Sequence, residues 1–163
     1  MSPKFHPHKY YAGLTRKQAL ARQKEIKRFG QLHWRDPAAY KGFKTDTLAT
    51  RKRKSSYTAE WDRLFPGVHS LTARAKVTGV PVKYLRKSYN RGMAAWRTGH
   101  RPGMTPQQWS YPRVSSMLLC GKTHWTTDAD IVREAKEASS SARRWWATRK
   151  ALGKCKNRWT RGK

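Results

Sequence analysis

Apolar residues are thinly and irregularly spread over the first third of the chain, and they recur at helical intervals only beyond Ser56. Within that first third one helix is predicted, from Thr15 to about Phe29. Thr15 and Gln18 have capping-box spacing, and Gly30 is suited to a C-terminal stop. Its apolar positions (Ala19, Leu20, Ile26, Phe29) are few, so the helix needs a partner to stay folded. Residues 1–13 read as extended around Pro3 and Pro7. Residues 31–56 read as irregular, through Asp36-Pro37, Lys41-Gly42 and the run Arg51-Lys52-Arg53-Lys54. A loop of that length is unusual inside a compact domain and is better read as a linker or arm.

Beyond Ser56 the pattern sharpens. A short helix at about 58–65 is stopped by Pro66-Gly67. Leu71–Thr78 reads as a helix, Gly79-Val80-Pro81 as a tight turn, and Val82–Thr98 as a longer helix. On the longer helix Val82, Leu85, Tyr89, Met93 and Trp96 share one face, with Lys83, Arg86, Lys87, Asn90 and Arg91 opposite. Gly99–Gly103 is a turn by composition, across which Trp96 and Trp109 are placed to pack. Thr105-Pro106-Gln107-Gln108 opens the next helix with N-cap, proline at N1 and capping-box Gln; Trp109, Val114, Met117 and Leu118 are its buried positions. Pro112 is expected to kink or break it, and Gly121 to end it. A single last helix is expected from Thr127 to near Gly153. Asp128 and Asp130 sit in its first turn, and its apolar stripe is Ile131, Ala135, Ala138, Ala142, Trp145 and Trp146. No strand pattern and no internal repeat stands out.

The expected fold is therefore mainly α: a small helical domain containing a helix-turn-helix-like unit, flanked by basic extensions. Residues 1–56 form a basic N-terminal arm with one helix and an irregular linker, 57–152 the helical core, and 153–163 a basic tail.

Charge changes the functional picture more than the structural one. Thirty-seven Lys/Arg against nine Asp/Glu give +28, which bears on partners and solubility and says little about fold. Leu, Ile, Val and Phe total only 22 residues, a composition that favours disorder, yet eight Trp and seven Tyr supply rings around which small cores form. Residues 63–127 contain 11 basic side chains and no carboxylate, so that stretch offers no Asp or Glu for general acid–base work or for a hard metal ion. No apolar run reaches the ~18 residues of a membrane span, and the opening Met-Ser-Pro-Lys-Phe-His-Pro-His has no apolar core of a secretory signal. Cys120 and Cys155 are too few for a disulfide framework and point to no oxidising compartment.

Three constellations carry candidate chemistry. Leu71–Trp96 has the turn and spacing of a helix-turn-helix, with Lys83, Arg86, Lys87, Asn90 and Arg91 where a recognition helix presents donors. Arg74 and Ser88 occupy positions that are usually apolar in that motif, so a plain packing unit with a basic outer face fits as well. Arg51, Lys52, Arg53 and Lys54 suit phosphate binding or nuclear import, or form a solvated arm. The stretch from Arg143 and Arg144 through Trp145 and Trp146 interleaves rings and cations. It suits nucleic-acid stacking, or equally burial in a neighbouring protein. Arg101 projects at the Gly99–Gly103 corner as a further contact for a carboxylate or phosphate. Trp61, Trp96, Trp109, Trp145 and Trp146 are the interface or core aromatics. No catalytic residue, cofactor or metal site is expected: the Asp128 and Asp130 pair is explained by helix-start chemistry, and no His has a Cys partner at zinc spacing.

Tyr57 onward carries an ordered series of motifs: Leu64-Phe65-Pro66-Gly67, Thr78-Gly79-Val80-Pro81, Tyr89-Asn90-Arg91-Gly92, Ala94–Gly103, Gln107-Gln108-Trp109 and Thr127–Asp130. The series resembles an uncharacterised domain family of large algal DNA viruses of the phycodnavirus type and some tailed phages, over about residues 55–132 and more loosely Tyr10–Gly42. Pro112 departs from that pattern, where a small residue stands. The resemblance implies a virion protein, made in the host cytoplasm or nucleus and lodged in the virion interior or on the inner capsid face. Its expected partners are capsid proteins, viral DNA and other virion proteins, with no membrane span and no small-molecule substrate. The expected function is a non-enzymatic minor capsid or internal virion component. The alternative is a sequence-tolerant DNA-binding or DNA-packaging protein built on the helix-turn-helix-like unit.

Overall fold

The computed structural model describes residues 10–11, 13–41, 43–45, 55–99 and 104–160. Among them the chain is mainly α, with eight helices and no strand: α1 (Arg16–Gly30), α2 (Ser56–Leu64), α3 (Leu71–Thr78), α4 (Val82–Gly99), α5 (Pro106–Leu118), α6 (Lys122–Trp125), α7 (Ala129–Ala138) and α8 (Ser140–Ala151). The chain divides into two compact units. One combines residues 1–53 with 93–109, and the other combines 54–92 with 110–163. This grouping differs from a linear arm, core and tail, because residues 93–109 belong with the N-terminal part. The Arg51–Lys54 run and Arg101 lie outside the described residues.

In the first unit α1 starts on the expected capping box, with Thr15 and Gln18 bonding each other's backbone N–H. Its buried face is Arg22, Ile26 and Phe29, at helical spacing, so Leu20 is left 53% exposed. The core is aromatic: Phe29 and Phe43 meet at 4.8 Å and Phe43 and Trp96 at 5.7 Å, with Tyr10, Tyr11, Leu32 and Trp109 packed around them. The Trp96 indole N–H donates to the Met104 carbonyl at 2.8 Å. The buried Arg22 guanidinium donates to Thr45 Oγ1 and to the Tyr10 carbonyl, and Glu25 accepts from the Thr45 N–H. Residues 31–41 and 43–45 are thus no free arm. Asp36 caps a short 3-10 turn (Pro37–Tyr40), and Phe43 supplies a core ring.

In the second unit the core gathers Trp61, Tyr84, Leu85, Val114, Met117, Leu118, Ile131 and Trp146, all essentially buried. Gly79 closes α3 in the left-handed conformation (φ 79°), which glycine adopts without strain. Three expectations fail here. α5 continues through Pro112, so the proline neither breaks nor ends it, although it removes one helical N–H. Gly121 does not stop α5, which ends at Leu118; it precedes α6, and a Cβ there would collide with the Tyr57 ring, whose hydroxyl accepts from the Lys122 N–H. The single last helix is two helices, because Ser139 turns extended (φ −138°, ψ 118°) and caps α8 through the Ala142 N–H. That break leaves Ala138 exposed while Ala142 and Trp146 reach the core.

Candidate functional site

Charge pairing within the second unit decides which cations are free for a partner. On α4, Lys83, Arg86, Lys87 and Asn90 are exposed as expected. Lys87 is bound to Glu134 at 2.9 Å, and Arg91 grips Asp130 through two bonds (2.8 and 2.6 Å) while also donating to the Thr127 carbonyl. The Arg91 guanidinium holds the Asp130 carboxyl well below the usual carboxylate range. Asp130 and Glu134 of α7 are therefore laid on the polar face of α4, and two of the cations read as recognition donors are engaged internally. Ser88, at a motif position usually apolar, is buried and donates to Asp128 at 2.6 Å.

Asp128 does more than favour a helix start. It is fully buried, makes no capping bond, and accepts from Ser88 and from Arg113 at 2.7 Å. Arg74, the other motif position usually apolar, lies between Trp61 (4.9 Å) and Tyr111 (5.1 Å) and donates to the His69 and Tyr111 carbonyls and to Ser115. Burial lowers its pKa to about 10, which still leaves it charged at neutral pH.

The five singled-out tryptophans are core residues. Trp61, Trp96 and Trp146 are buried, Trp109 packs on the first unit's core, and Trp145 is half-buried with its N–H on the Leu118 carbonyl. Trp146 thus lies in its own unit's interior, where it can be neither a stacking platform nor an anchor in another protein, and Trp145 packs half-buried against that core. Arg143 and Arg144 remain exposed.

A surface cleft of about 530 Å³ opens where α6, α7 and the start of α8 meet, lined by His124, Trp125, Ala129, Val132, Arg133, Lys136, Glu137 and Arg143. The break at Ser139 makes it, by turning α8 so that Arg143 donates to the Lys136 carbonyl at 2.6 Å. Trp125 is oriented by a bond from its N–H to the Cys120 carbonyl (3.1 Å) and by the His124 ring, edge-on at 4.6 Å. An apolar, aromatic wall beside three cations and one carboxylate matches a stacking surface with phosphate neutralisation. Of this lining the sequence reading singled out only Arg143 as a contact. Trp125, Arg133 and Lys136 were missed; the Ser139-Ser140-Ser141 cluster, a strong N-cap signal, was the clue to the break that assembles them.

Behind the cleft, Cys120 and Cys155 form a disulfide with a Cα separation of 5.0 Å. Two cysteines make no disulfide framework, but they do make this one bond: they are 35 residues apart in sequence, and the fold brings them together. His124 lies beside them, buried, with Nδ1 3.0 Å from the Met117 carbonyl, and burial depresses its pKa to about 4. The fold thus gives a histidine the cysteine neighbours that sequence spacing did not reveal. Among the described residues no helix is long and apolar enough to cross a membrane.

These features define a strongly basic, mainly helical protein whose internal acids are committed to its own fold. Residues 7–137 match DUF5824, described as a family of unknown function, and the chain belongs to that family. No curated protein and no solved structure matches it.

Proposed function

We propose that the protein is a non-enzymatic virion component, a minor capsid or internal protein, whose positive surface engages packaged DNA. The observation that carries the reading is the cleft of α6–α8, where Trp125 stands beside Arg133, Lys136 and Arg143. The net charge of +28 adds a long-range attraction for polyanions. A viral source rests on the motif resemblance of residues 55–132. Recognition of base edges by α4 is the weaker alternative, since Lys87 and Arg91 are tied to Glu134 and Asp130. Binding through phosphates and unpaired bases needs no such helix.

Fluorescence anisotropy with labelled single-stranded and duplex DNA over a salt series tests this. Binding is expected to be tight at low salt and to weaken steeply as salt rises. Arg133→Ala or Lys136→Ala should each flatten the salt slope by about one unit. Trp125→Ala should weaken single-strand binding by about 1–3 kcal/mol with helix content unchanged. Absence of binding at low ionic strength overturns the proposal. A consensus selected from random duplexes would instead favour the helix-turn-helix reading. Fractionation of purified virions, locating the chain with the genome or the shell, tests the virion assignment.

A further inference from the structure

Cys120, His124 and Cys155 bring two sulfur atoms and an imidazole nitrogen within 4.8 Å of one another. We propose that, when the Cys120–Cys155 bond is reduced, these three side chains bind one Zn²⁺ ion through two thiolates and one imidazole nitrogen. Sulfur and imidazole are the donors zinc prefers, and the cluster contains no carboxylate that would favour a hard cation. The Met117 carbonyl fixes the tautomer of the neutral imidazole. A carbonyl oxygen only accepts, so His124 Nδ1 carries the proton donated to Met117, and the lone pair resides on Nε2. A backbone carbonyl behind the ring is the arrangement that orients metal-binding histidines.

The backbone allows the sulfurs to separate. Two thiolates at about 2.3 Å from a tetrahedral ion lie about 3.8 Å apart. Cys155 belongs to no helix and follows the left-handed turn at Gly153 (φ 72°), so no helical hydrogen bond has to break for its sulfur to move by that amount. Cys120 and His124 are buried and Cys155 is half-buried, and three protein ligands leave a fourth position for water to complete the tetrahedron.

The steps balance. A phosphine reductant supplies two electrons to the S–S bond and takes up the oxygen of one water, giving two thiols and a phosphine oxide. Zinc binding then releases the two thiol protons. Disulfide and metal compete for the same sulfurs, so each state excludes the other.

The test uses the full chain, freed of metal by a chelator and treated with a phosphine until two thiols per chain titrate. Co²⁺ is the probe. One equivalent is expected to bind, with the visible absorption of tetrahedral thiolate-bound cobalt, and to be displaced by Zn²⁺; the unreduced chain should show none. With only two cysteines in the chain, Cys120→Ser and Cys155→Ser should each abolish the two-thiolate spectrum. His124→Gln should weaken binding at least tenfold, while His69→Gln, at an exposed site, should not. A wild-type chain with two free thiols and no cobalt uptake overturns the proposal, whether or not that chain remains folded. Cobalt affinity unchanged in His124→Gln overturns it too.

Discussion

Removing the Asp128 side chain should unfold much of the second unit's stability in a single substitution. Its carboxylate is completely buried, accepts from Ser88 at 2.6 Å and from Arg113 at 2.7 and 3.3 Å, and lies 3.5 Å from Arg91. Asp128→Ala leaves Arg113, whose side chain is only 15% exposed, facing a void without a counter-charge. Breaking one side of a buried ion pair costs about 3–5 kcal/mol, against a typical domain stability of about 5–15 kcal/mol. At about 4–8 °C per kcal/mol for a small domain, Tm should fall by at least about 12 °C. Urea and thermal unfolding followed by circular dichroism and tryptophan fluorescence would measure it. Asp130→Ala is the control: its pair with Arg91 is half exposed and should contribute about 0–1 kcal/mol. The paired change Asp128→Leu with Arg113→Met should recover most of the loss, because neither charge is then stranded. A loss below about 1 kcal/mol for Asp128→Ala, or one equal to that of Asp130→Ala, would refute the reasoning.

Acid should destabilise the fold through His124. Its folded pKa of about 4 lies below the ordinary 6.5, so the stability tied to its neutral form is complete above pH 6.5 and lost as pH falls through 4, about 3 kcal/mol in all; His124→Gln should flatten the stability–pH curve across that window. Gly121→Ala should cost about 1–3 kcal/mol by pressing a methyl into the Tyr57 ring, and Tyr57→Leu in the same chain should relieve part of it; equal melting of wild type and Gly121→Ala would contradict the packing. Trp96→Ala should cost about 3–5 kcal/mol by emptying the first unit's aromatic core, read as loss of the near-ultraviolet dichroism of that cluster.

The helices whose ends carry chemical punctuation could be read from the sequence. Thr15, Thr105 and Gly79 mark boundaries by hydrogen bonding and backbone freedom, and the structure uses each of them that way. Pro112 misled because a proline's local cost is outweighed when Val114, Met117 and Leu118 beyond it are buried on the same helix. Residues 31–45 read as irregular because their contribution, one ring at Phe43 and the bonds to Thr45, depends on partners some twenty residues earlier on α1. The candidate site was the least visible part. Trp125, Arg133 and Arg143 have no common period, and they converge only because the chain reverses at Ser139. The disulfide was hidden for the same reason, since 35 residues and three helices separate its cysteines.

The placement of the acids has a consequence for synthesis. On a ribosome the first 127 residues emerge with a net charge of +21, and residues 63–127 bring no carboxylate at all. Lys87, Arg91 and Arg113 find their counter-charges in Glu134, Asp130 and Asp128, all of which are translated afterwards. At about 5–20 residues per second, α3, α4 and α5 must wait for several seconds as an uncompensated polycation. During that interval the nascent chain is a ligand for any nearby polyanion, the ribosome's own RNA included, and α7 has to compete with that polyanion for α4. The order of translation therefore makes α7 an internal competitor, a segment that completes the fold and, in the same event, withdraws Lys87 and Arg91 from outside partners.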